Sequence, residues 1–138
     1  MNELLTLALL LAALGQACIA IINLALVPIL GWKSDLERMP LLIREVFHVH
    51  AWFITITLLI FATLTFRFAG EIAAGAAPIH HWLACGIGGF WAIRAVLQMT
   101  YYSGSHWRGI RSRTVVHVIL LLVYSGFAAV YLTAGLRP

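Results

Sequence analysis

Of the chain's 138 residues, 62% are hydrophobic and only 10% are charged, whereas a soluble domain carries roughly a quarter of charged residues. That balance excludes an ordinary soluble fold and points to an integral membrane protein. The formal net charge of +4 is explained by topology and calls for no nucleic acid, and two isolated cysteines, Cys18 and Cys85, give neither a disulfide framework nor a Cys/His zinc pattern.

Four apolar runs, 4–30, 46–66, 79–102 and 115–136, each meet the requirement of about 20 residues for a helix crossing hydrocarbon about 30 Å thick. They leave too little chain for a soluble domain. Residues 1–138 are therefore expected to form a single all-α domain, an integral membrane antiparallel four-helix bundle. The first run has no Lys or Arg ahead of it and far exceeds the roughly 7–15 apolar residues of a signal peptide, so it is read as a retained helix. Gly15-Gln16-Ala17-Cys18 looks like a lipoprotein cleavage site, but Gln16 and the missing basic residues argue against one. At some 40 Å this helix must tilt or bend, with Pro28 the expected bend. Gln16 and Asn23 lie two helical turns apart, which puts both amides on one face, and that face should look inward.

The loop 31–45 mixes Trp32, Lys33, Asp35, Glu37, Arg38, Arg44 and Glu45, with Ser34 and Glu37 at capping-box spacing ahead of Pro40. It reads as interfacial. The second helix carries His48 and His50 near its start and Thr55, Thr57, Thr63 and Thr65 further along; threonine is tolerated there because its hydroxyl bonds backbone carbonyls. A short Ala/Gly-rich loop, 67–78, follows, and Pro78 is placed to open the third helix. That helix has two polar or small-residue faces. Ala84, Gly88 and Ala92 form a small-residue ridge for close helix approach, while Trp91, Arg94, Gln98 and Tyr101 follow another face. The loop 103–114 holds His106, Trp107, Arg108, Arg111 and Arg113, and the fourth helix runs past His117 to Tyr124 and Tyr131, expected to close the core.

Orientation follows from the charges. Loops 31–45 and 103–114 carry six basic residues, Lys33, Arg38, Arg44, Arg108, Arg111 and Arg113, against two, Arg67 and Arg137, on the opposite side. The positive-inside rule then puts those loops in the cytoplasm and both termini outside, in a bacterial inner membrane. Trp32, Trp52, Trp82 and Trp107 are read as bilayer anchors, with His80 and His81 in the outer interfacial belt.

Counting residues inward from the cytoplasmic helix ends brings Asn23, His50, Arg94, Gln98 and His117 into a layer about 3–11 Å below the interface. An arginine within a membrane helix costs about 2.5–3.5 kcal/mol to insert, so it faces protein or a wet cavity and finds a partner. The blandest expectation is that these groups satisfy one another. A redox reading takes His50 and His117 as axial ligands of haem b, with Arg94 near a propionate. The chain is similar in size and helix count to small haem-bearing membrane subunits of the cytochrome b type, a likeness of architecture that implies a haem between helices. A third reading has Arg94 and Gln98 hold a lipid or quinone headgroup, with His48 or His50 as a general base if the protein is an enzyme. In length and helix count the chain is also similar to the membrane enzymes of eicosanoid and glutathione metabolism. A fourth makes it an accessory subunit that presents the Ala84-Gly88-Ala92 ridge to a larger membrane complex or to a second copy. No metal site is expected: His80 and His81 are adjacent, and His48 and His50 likewise point to different faces.

Overall fold

The computed structural model of the protein describes residues 2–101 and 111–137. Among these residues it is all-helical, in the order α1 (Asn2–Leu30), α2 (Lys33–Glu37), α3 (Leu41–Ala74), α4 (Pro78–Thr100) and α5 (Arg111–Gly135). Four of the five, all but the short α2, are long and apolar enough to cross a membrane. Large apolar side chains such as Leu42, Phe53, Trp82 and Leu122 stand exposed along them. So much bare apolar surface is an aggregation hazard in water and an ordinary surface in lipid.

Two glycines end helices in the same way. At Gly31 (φ 67°) and Gly75 (φ 60°) the chain turns left-handed, a conformation that costs glycine nothing because it has no Cβ. Trp32 N–H then bonds Val27 O at 3.0 Å and Gly31 N–H bonds Pro28 O at 3.4 Å. Ala76 N–H to Glu71 O at 3.0 Å and Gly75 N–H to Ile72 O at 3.2 Å repeat the pattern. Both are Schellman caps, which satisfy carbonyls the helix end would leave bare.

The structure lengthens the second expected helix. α3 starts at Leu41 and continues to Ala74, so most of the expected loop 67–78 is helical and only residues 75–77 connect α3 to α4. Alanine-rich sequence favours the extension, and Gly75 supplies the stop. Phe68 departs from helical geometry (φ −118°, ψ 16°), which breaks α3 there. α1 runs through Pro28 for its last turn. His106, Trp107 and Arg108, named in the expected loop 103–114, lie outside the described residues.

The chain divides into two compact units, Leu10–Arg67 and Met1–Leu9 with Phe68–Pro138. In the first, α1 meets α3 through Asn23, whose Nδ2 donates to Ala51 O at 2.8 Å and Thr55 Oγ1 at 3.0 Å. Thr55 is buried, and its hydroxyl lies 2.9 Å from Ala51 O and 3.4 Å from Ala20 O.

In the second unit α4 and α5 run antiparallel. His81, at the start of α4, bonds Gly135 at the end of α5, and Gln98, near the end of α4, bonds His117 near the start of α5. Between them Gly88 meets Leu132 so closely that a Cβ at 88 would lie 2.9 Å from Leu132 Cγ and 3.0 Å from its backbone nitrogen. The expected small-residue ridge is thus covered by the chain's own α5: Ala84 and Gly88 are buried. At the other end of this unit Arg137 Nη1 reaches Asn2 Oδ1 at 3.4 Å and Ala73 O at 3.5 Å, gathering both terminal segments beside the α3–α4 turn.

Candidate functional site

On α4, Arg94 and Gln98 are four residues apart and therefore neighbours on one face. Arg94 Nη1 donates to Gln98 Oε1 at 2.9 Å. Gln98 Nε2 in turn lies 2.8 Å from His117 Nδ1 on α5. The result is a continuous polar relay from guanidinium through amide to imidazole, spanning two apolar helices. Gln98, at its centre, is only 2% exposed, yet both ends of its amide are engaged, as a buried polar group requires.

Aromatic rings hold the relay from beneath. The Arg94 guanidinium carbon sits 4.8 Å from the Tyr124 ring centroid, a cation–π distance. Trp91 stacks on Tyr124 (5.2 Å, 26° between planes) and meets Phe127 edge-on (4.9 Å, 67°). Trp91 is 2% exposed and Tyr124 is buried. One turn of α4 places Trp91 below Arg94, so the ring stack fixes the base of an arginine whose head holds the glutamine.

Of the residues expected in the polar layer, Arg94, Gln98 and His117 belong to the second unit and are joined there. Asn23 belongs to the first unit, where its NH2 group donates to α3. His50 is exposed on α3. His48, also exposed, has its Nδ1 2.7 Å from Arg44 O one turn back, and because a carbonyl only accepts, Nδ1 donates there. Both expected general bases thus lie on an exposed stretch of α3. Tyr101, expected on the face of Trp91, is instead 83% exposed: α4 ends at Thr100 and Tyr101 is its cap. Gln16, on the inward face of α1, is buried and donates to Ala12 O at 3.3 Å.

Two contacts of α4 could not be read from the sequence. Tyr124 was expected only as core, and its place under Arg94 depends on the register of α5 against α4. His81 was expected in an interfacial belt with His80 and Trp82. Only Trp82 stands out as strongly exposed; His81 Nδ1 bonds Gly135 O at 3.2 Å, and the His80 ring lies 6.0 Å from Phe68. Trp32 and Trp52 are exposed as bilayer anchors would be. No group of three or more metal-ligating side chains is found among the described residues.

The chain matches no family model, no characterised protein and no solved structure against which it was compared.

Proposed function

We propose that this protein is a small accessory subunit of the membrane, an antiparallel four-helix bundle that binds a partner and a ligand at the polar site of α4 and α5. The observation that carries the reading is the Arg94–Gln98–His117 relay inside two apolar helices. Inserting an arginine there costs about 2.5–3.5 kcal/mol, and packing alone needs no guanidinium. In this reading both termini lie outside a bacterial inner membrane and the helix-flanking segments 31–45 and 103–114 are on the cytoplasmic side, on the strength of six basic residues against two. The relay then lies near the cytoplasmic face. There a lipid or quinone headgroup enters beside Arg94 while its tail lies along the apolar helices.

The partner is a larger membrane complex or a second copy of the chain. Since α5 covers Gly88, the partner docks on other faces of the helices. Affinity purification in mild detergent from the native membrane tests the proposal. Arg94→Leu is expected to keep the yield and helicity of the isolated chain but to lose the proteins and lipid that co-purify with the wild type. Undiminished recovery of both with the variant overturns the reading.

A further inference from the structure

We infer that Arg94 and Gln98 are positioning residues that set the tautomer of His117, so that the site presents an imidazole N–H donor at Nε2. A guanidinium only donates, so the Gln98 atom facing Arg94 at 2.9 Å must be the carbonyl Oε1. The amide cannot turn over without pointing its NH2 at those donors. Its Nε2 therefore faces His117 and donates, and Nδ1, 2.8 Å away, accepts with its lone pair. The ring proton is then on Nε2. An imidazolium, or the opposite tautomer, would set N–H against N–H.

Each link is held from outside. Tyr124 lies against the guanidinium and Trp91 stacks on Tyr124, while burial keeps Gln98 from exchanging its partners for water. The chemical consequence deepens the proposed function and rests on it for the presence of a ligand. Whatever engages His117 at Nε2 meets an N–H and must bring an acceptor, a carbonyl or phosphoryl oxygen of a quinone or lipid headgroup. Iron coordination needs the reverse arrangement, a lone pair at Nε2 with Nδ1–H donating to an acceptor. The relay as built opposes it.

The test is nitrogen NMR of protein labelled with 15N-histidine in detergent micelles, with His117 identified by its loss in His117→Asn. In the wild type Nδ1 is expected to resonate as a pyridine-type, lone-pair nitrogen and Nε2 as a pyrrole-type one. In Gln98→Glu the carboxylate only accepts, so the two nitrogens should exchange character. A pyrrole-type Nδ1 in the wild type, alone or together with Nε2, overturns the inference, as does a folded Gln98→Glu protein with the wild-type pattern. If that variant does not fold, the wild-type spectrum alone decides. Adding a short-chain benzoquinone and, separately, an anionic phospholipid identifies the oxygen source by which one moves the Nε2 signal; movement with neither overturns the ligand assignment. The ring reports its tautomer whether or not anything co-purifies, so failure here is distinct from failure of the accessory-subunit reading.

Discussion

Asn23 joins α1 to α3 through two bonds donated by one amide, 2.8 Å to Ala51 O and 3.0 Å to Thr55 Oγ1. Hydrogen bonds between membrane helices are worth about 0.6 kcal/mol on average and up to about 1.7. Asn23→Leu and Thr55→Val are each expected to destabilise the protein by about that range, and the double variant by less than the two losses added, because both remove the same contact. Denaturant titration in micelles reads this directly, and strictly additive losses would show the two residues to be energetically independent. The inward face of Asn23 was legible because a two-turn spacing from Gln16 fixes it. Its partner was not: a threonine in a membrane helix bonds its own preceding turn by default, and Thr55 does that as well as meeting Asn23. Arg94 and Gln98 were legible as a pair for the same reason of spacing, and counting depth from the loops brought His117 to their level. Tyr124 under the guanidinium was not, since nothing in a single sequence fixes how far one helix slides along another.

Among the helices, α5 packs closely against α4 at Gly88. A Cβ built there comes within 3.0 Å of the Leu132 backbone nitrogen as well as its side chain, so rotamer changes cannot relieve the contact and the two helices must part. Overpacking of this kind costs about 1–3 kcal/mol. Gly88→Leu is expected to lower the melting temperature in detergent and to loosen the relay one and a half turns or more along α4. Gly86→Ala, where a Cβ meets nothing within 4 Å, should leave the melting temperature unchanged or raise it slightly, because alanine favours helix over glycine. Equal effects at the two positions would mean that α5 does not lie against Gly88. The existence and order of the four long helices were legible from apolar run length alone. The ends were less so: apolar counting stops α3 at the first charge, Arg67, although a helix continues through charged residues once it leaves hydrocarbon, and the left-handed glycine that actually ends it sits eight residues on.

For the molecule as a whole, the orientation proposed for it in a membrane rests on charge alone. Six basic residues flank one set of helix ends and two the other, and each is worth about 1 kcal/mol near an anionic leaflet, which is enough to bias insertion strongly toward one topology. The structure adds a constraint that charge does not supply: Arg137, Asn2 and Ala73 meet within one unit, so both terminal segments and the α3–α4 turn share a side of any membrane the helices cross. Single cysteines in a Cys18→Ala, Cys85→Ala background test both at once. Glu3→Cys and Ala76→Cys lie at exposed positions on the termini side, and Lys33→Cys at an exposed position beyond the first span. A membrane-impermeant maleimide added to intact cells is expected to label Glu3→Cys and Ala76→Cys, and to reach Lys33→Cys only after the membrane is opened. The inverse pattern would move loops 31–45 and 103–114 outside and place the relay at the outer face. Labelling of Glu3→Cys without Ala76→Cys would break the four-span topology itself, because α1 and α3 would no longer return the chain to the side it started from.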